Sequence, residues 1–162
     1  MTNYKQINRI TGLVVFAIAA IVYLLTIEPT ASFWDCGEFI TSAFKLEVGH
    51  PPGAPIFMLV GNLFTQFASN LSQVAKMVNI MSALLSAFTI LFLFWTITHL
   101  TKKLVLKNDE QTITFAQTLI VIGSGLVGAL TYTFSDTFWY SAVEGEVYAF
   151  SSMLTALVFW LI

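Results

Sequence analysis

Ser32-Phe33-Trp34-Asp35-Cys36-Gly37-Glu38-Phe39-Ile40, followed by Gly49-His50-Pro51-Pro52-Gly53-Ala54-Pro55, brings carboxylates into a strongly apolar chain. Asp35 and Glu38 are three residues apart. On a helix that spacing puts both on one face, roughly 5–6 Å apart at Cβ. Phe33, Trp34, Phe39, Ile40, Phe44 and Leu46 give the same stretch an apolar side. Phe33 to Leu46 contains no proline and reads as a short amphipathic helix. Gly49 and Pro51-Pro52 end it, because a residue before proline avoids the α region.

Only 10% of the 162 residues are charged, against about a quarter in a soluble domain. Mean hydropathy is +0.80, so the chain reads as an integral membrane protein in a lipid bilayer. The net charge of -2 excludes a nucleic-acid partner. The lone Cys36 excludes an internal disulfide and a Cys-rich metal site. Upstream of the polar stretch, Ile10 to Ile27 is apolar and long enough to span. It exceeds the h-region of a signal peptide, and no small-residue cleavage site follows. Lys5 and Arg9 place its N-terminus in the cytoplasm. Downstream, Val78 to Leu100 and Ile113 to Phe134 are further spans. Val147 to Ile162 begins another, so residues 1–162 read as the N-terminal part of a longer multi-span protein.

Ala54 to Ala68 decides the topology. It is apolar, but about 15 residues fall short of the roughly 20 that a span needs. Were it to span, Lys102, Lys103 and Lys107 would lie outside, and Glu144 and Glu146 would face away from Asp35 and Glu38. Lying flat, it makes residues 28–77 one external loop, puts the lysines inside, and gathers both acidic clusters on one side. The positive-inside rule favours the second arrangement. The expected fold class is therefore all-α: a polytopic transmembrane helical bundle with interfacial helices in its first external loop.

Each polar cluster has a structural and a chemical reading. Asp35 and Glu38 are either solvated loop carboxylates or a catalytic pair. As a pair, one is a general base while the other orients a substrate hydroxyl, or both help to hold a divalent metal. A base must approach the hydroxyl to about 2.6–3.2 Å. The Gly49–Pro55 run is a rigid turn in which His50 is either solvated or donates to a phosphate. Glu144-Gly145-Glu146-Val147-Tyr148 precedes a span, where charges are common. With Trp139 and Tyr140 it also matches a sugar-binding surface, rings for CH faces and carboxylates for hydroxyls. Gly123-Ser124-Gly125-Leu126-Val127-Gly128 fits the dinucleotide pattern in letters only, since no strand precedes it. Within a span, Gly125/Ala129 and Ser124/Gly128 read as small-residue pairs that let helices approach.

Trp34-Asp35-Cys36-Gly37-Glu38-Phe39-Ile40, the His50-Pro51-Pro52-Gly53 run and Ala142-Val143-Glu144-Gly145-Glu146-Val147-Tyr148-Ala149 resemble a bacterial membrane family long left without a function. Its animal relatives are transmembrane protein O-mannosyltransferases. More broadly the arrangement resembles the opening of GT-C superfamily glycosyltransferases. The resemblance implies inverting transfer of mannose or another hexose from a polyprenyl-phosphate donor to a Ser or Thr hydroxyl of an exported protein. It implies that Asp35 is at the reaction centre with Glu38 as its second acid, although many superfamily members place the two side by side. His50, Glu144, Glu146, Tyr148 and Trp34 become candidate substrate-binding residues. Superfamily members differ in their need for a divalent metal, and no metal ligand is assigned here. The implied location is a bacterial inner membrane, with the N-terminus cytoplasmic and the acidic loops periplasmic. A transporter fragment and a non-catalytic scaffold are the alternatives. The spans are nearly uncharged, which counts against transport.

Overall fold

The computed structural model describes residues 3–51, 53–106 and 112–162. Pro52 of the proline turn and Lys107 of the topology argument lie outside the described residues, as do Asp109 and Glu110. The described chain is helical, without strands: α1 (Tyr4–Leu25), α2 (Cys36–Lys45), α3 (Pro55–Thr65), a 3-10 turn (Leu71–Gln73), α4 (Val74–Val105), α5 (Phe115–Thr133), α6 (Asp136–Ala142) and α7 (Val147–Leu161). Three segments are long and apolar enough to cross a membrane: Tyr4–Leu25, Leu71–Val105 and Phe115–Thr133. α6 and α7 together make an apolar pair bent by 111°. The all-helical membrane bundle expected from the sequence is the fold observed.

α4 is the central element. α1 runs antiparallel to it: Gly12 lies under Trp95 near one end, and Asn79 reaches the carbonyl of Glu28 at the other. α5 is also antiparallel to α4, and α7 runs parallel to it, its Trp160 ring 5.3 Å from those of both Phe92 and Trp95. The connection between α1 and α4 therefore leaves and rejoins the bundle at the same end, and α2 and α3 pack there. At 11 residues, α3 is about 16 Å long, half of a hydrocarbon core. α4 has 32 residues and is about 48 Å long, longer than such a core, and its first turns carry α2 and α3.

Buried side chains divide accordingly. One cluster fills the bundle, with Val15, Tyr23, Ala83, Ile90, Phe94 and Ala129 among its members. The other joins α2 and α3 to the start of α4 through Phe39, Ile40, Phe57, Met58, Val78 and Met81. On α2 the buried positions Cys36, Phe39, Ile40 and Ala43 are one helical stripe. α2 begins at Cys36, later than the Phe33 expected, because Trp34 adopts a left-handed backbone (φ 61°). That conformation costs about 1–2 kcal/mol for a residue with a side chain and turns the chain into the helix. Asn62 of α3 donates to the carbonyls of Ala43 and Phe44, satisfying the open C-terminal end of α2. Exposed apolar residues, such as Leu13, Ile21 and Leu25 of α1 and Leu119, Ile120 and Val127 of α5, give these helices apolar outward faces, as a bilayer requires.

Gly125 shows why α5 needs small residues. A Cβ there would meet Thr98 Cγ2 at 2.6 Å and Phe94 Cε2 at 2.8 Å, whereas at Gly123 it would meet nothing within 4 Å. Gly125→Ala should lower stability by about 1–3 kcal/mol through overpacking. Gly123→Ala should be neutral or raise it by up to about 1 kcal/mol. Thermal unfolding of both variants in one detergent, followed by circular dichroism, checks the contrast. Equal midpoints would contradict the packing of α4 on α5.

Candidate functional site

Asp35, Phe39, His50, Gly53, Ala54, Glu146, Val147 and Tyr148 enclose a cavity of about 210 Å³ at the α2–α3 end of the bundle. Two acidic segments about 110 residues apart thus share one wall. Asp35 is the N-cap residue of α2, yet its side chain makes no capping hydrogen bond. It is exposed, so its carboxylate faces the cavity unspent. Glu38 does not line the cavity. Its Oε1 accepts the His50 backbone N–H at 2.7 Å, and its Oε2 lies 3.1 Å from His50 Nδ1. Both oxygens of Glu38 thus hold the proline turn, and the turn presents His50 to the cavity. The turn is closed by Gly53 N–H donating to the His50 carbonyl at 2.8 Å, with Gly53 at φ 77°, where a glycine is favoured.

The second segment approaches through a glycine. Gly145 is pressed against α2 and α4: a Cβ would stand 2.9 Å from Asn79 Oδ1, 3.0 Å from Ile40 Cγ1 and 3.1 Å from Val78 Cγ1. Its neighbours Glu144 and Glu146 are consequently buried. Glu146 occupies the N-cap position of α7 without a side-chain capping bond; instead its Oε1 accepts the Cys36 thiol at 3.5 Å. Burial raises the proton affinity of Glu146; the Cys36 hydrogen bond opposes this, and the charges of Glu144 and Asp35 add to it. Burial first, then Glu144 and Glu146, push the Cys36 thiol well up. Cys36 is therefore a neutral hydrogen-bond donor and not a nucleophile.

Cys36, Glu144 and Glu146 offer ligand atoms within 4.8 Å of one another. One sulfur beside two carboxylates matches neither the all-oxygen shell of Mg²⁺ or Ca²⁺ nor the Cys- and His-rich set of structural zinc. Tyr148 lines the cavity, half-exposed. Trp34 does not line it; it stands fully outside, 89% exposed, immediately before Asp35. Trp139 is used structurally, its Nε1 donating to Thr26 Oγ1 at 2.9 Å. A larger groove of about 530 Å³ runs along α4, α5 and α7. No charged side chain lines it, and Thr89, Thr96, Ser151 and Thr155 spend their hydroxyls on their own helices, so the chemistry is gathered elsewhere. Sequence reading passed over Asn79, Gly145 and the part played by Cys36. The available signal was Asn79 itself, an amide at the start of an otherwise apolar span.

Glu38 raises the proton affinity of His50, through its hydrogen bond and then its charge, above the ordinary value of 6.5. The His50 backbone and side-chain hydrogen bonds lower Glu38 below its ordinary 4.5. The sign follows. A raised histidine contributes stability that is complete below 6.5 and lost as pH rises through the folded value. A depressed carboxylate contributes stability present above 4.5 and lost as pH falls through the folded value. The turn is therefore held best between these limits. Proton NMR of the His50 ring should give a midpoint above 6.5, returning to about 6.5 in Glu38→Gln. Identical midpoints in the two proteins would exclude the pairing.

Residues 35–162 match the family model described as the protein O-mannosyl-transferase TMEM260 N-terminal domain. Protein O-mannosyl-transferase tmem260 of Dictyostelium discoideum is 29% identical over 147 residues, covering 90% of this chain and 16% of that protein. Protein O-mannosyl-transferase TMEM260 of Mus musculus is 30% identical over 145 residues, covering 89% of this chain and 18% of that protein. The chain thus spans less than a fifth of the length of these curated relatives. No solved structure matches it. Since the match takes in both acidic segments and every helix from α2 onward, the chain belongs to the TMEM260 N-terminal domain family of protein O-mannosyl-transferases.

Proposed function

We propose that this chain forms the acidic half of the active site of a GT-C-type membrane glycosyltransferase. The enzyme moves mannose or another hexose from a polyprenyl phosphate to a Ser or Thr hydroxyl of an exported protein. The observation that carries the reading is the convergence of Asp35, His50, Glu146 and Tyr148 on one cavity, with the Asp35 carboxylate making no capping bond. The names of the relatives supply the reaction class.

In this reading Asp35 accepts the hydroxyl proton as the acceptor oxygen attacks the anomeric carbon. The bond from that carbon to the phosphate oxygen breaks with inversion, and the phosphate leaves on its lipid. His50, whose proton affinity Glu38 raises, supplies positive charge toward the phosphate when protonated. Glu38 acts through His50, holding the turn. Glu146 binds sugar hydroxyls from the cavity wall, Glu144, buried beside it but not lining the cavity, supports it, Tyr148 offers its ring to a sugar CH face, and Trp34 flanks the acceptor. The cavity is smaller than the roughly 300–1,000 Å³ of a complete small-molecule site, so further residues of the full-length protein close it. The N-terminal ends of α1 and α5 face the cytoplasm, with Lys5, Arg9, Lys102 and Lys103 following the positive-inside rule. The acidic end faces the periplasm of a bacterial inner membrane.

Transfer of radiolabelled sugar from polyprenyl-phosphate donors to exported protein, in membranes holding the full-length protein, tests this. Asp35→Asn should lower transfer by about 10²–10⁴-fold at equal expression, the usual contribution of a general base. Unchanged transfer would return Asp35 to the status of a loop carboxylate. Absence of transfer from the unmodified protein, across several donors, would overturn the glycosyltransferase reading.

A further inference from the structure

At the end of the bundle opposite the acidic site, α1, α4 and α7 surround a second cavity of about 390 Å³. Lys5 and Arg9 of α1, Lys102 and His99 of α4, and the indoles of Trp95 and Trp160 line it. Among the described residues no Asp or Glu lines this cavity or occurs in α1, α4 or α7, so these helices bring cations to it. The arrangement is held in place. Trp95 lies directly over Gly12, where any Cβ would collide with its ring. Trp160 stacks on Phe92 and packs tilted against Trp95, with centroids 5.3 Å away in each case. The Lys102 ammonium sits 5.4 Å from the centre of the Tyr4 ring. None of these residues belongs to the acidic cavity.

We infer that this cavity is a binding site for the phosphate headgroup of an anionic phospholipid. The charge argument calls for an anion. The position calls for a lipid: the cations lie at the ends of spanning helices, where headgroups are found, and tryptophans at that level are the usual interfacial residues. Basic pockets between spanning helices bind phosphate headgroups for this reason. A small soluble anion would need no aromatic wall.

Native mass spectrometry of the protein released from detergent tests the assignment, with dioleoyl phosphatidylglycerol or dioleoyl phosphatidylcholine added back. One phosphatidylglycerol should be retained in preference to phosphatidylcholine. Each basic residue removed should weaken retention about fivefold, so Arg9→Gln with Lys102→Gln should weaken it about thirtyfold. Arg9→Lys with Lys102→Arg, which keeps the charge, should retain the lipid and shows that loss in the first variant is not misfolding. Lys103→Gln, outside the cavity, should be unaffected. Equal retention of the two lipids, or retention unchanged by Arg9→Gln with Lys102→Gln, overturns the site. Displacement of the lipid by millimolar inorganic phosphate overturns the commitment to a lipid headgroup.

Discussion

Asn79 has no exposed surface and donates both of its amide hydrogens, at 2.7 Å to the Glu28 carbonyl and at 2.9 Å to the Thr30 carbonyl. A buried amide in a span is tolerated only where it is hydrogen-bonded. Here the partners belong to the chain leaving α1, so one side chain of α4 fixes where the segment leading to Asp35 begins. Glu28 N–H in turn donates to the Val143 carbonyl at 3.1 Å, tying in the residue before Glu144. Asn79 Oδ1 is left without a partner, pressed close to Gly145. The two loops that build the acidic cavity are thus located by one residue and one absent side chain.

Around that anchor the polar groups divide their work. Glu38 spends both oxygens on His50, and Cys36 spends its thiol on Glu146. What is left facing the cavity is the uncommitted carboxylate of Asp35, an imidazole whose proton affinity its partner raises, and a buried carboxylate with raised proton affinity. Groups of similar type are driven apart in behaviour by their surroundings, which is how acid and base roles become separable at one pH. Burial does this for Glu146 and hydrogen bonding does it for Glu38.

The bundle is polar along its length in a second sense. Except for Asp109 and Glu110, outside the described residues, the carboxylates cluster at the end where α1 stops and α4 starts. Lys5, Arg9 and Lys102 cluster at the other. The apolar helices between them carry no charge to screen either end, and their interior is set by small residues: Gly12 under Trp95, Gly125 against Phe94 and Thr98, Gly128 against Ile97. Close helix approach holds both ends in register.

The amino-acid sequence by itself determined the helical membrane class, because low charge and long apolar runs leave a bilayer no other economical solution. It also determined the small-residue face at Gly125 and Ala129, which follows from spacing alone. Asp35, His50, Glu146 and Tyr148 were legible as unusual polar and aromatic residues in an apolar chain. Only the tertiary structure decided which of them meet. Spacing placed Asp35 and Glu38 together, but Trp34's left-handed backbone puts Asp35 at the helix boundary, and Glu38 turns to a residue twelve positions on. The pairing of Cys36 with Glu146, 110 residues apart, and the clamp at Asn79 are long-range contacts. They depend on how α1, α4 and α7 pack, and no local pattern in the chain carries that information.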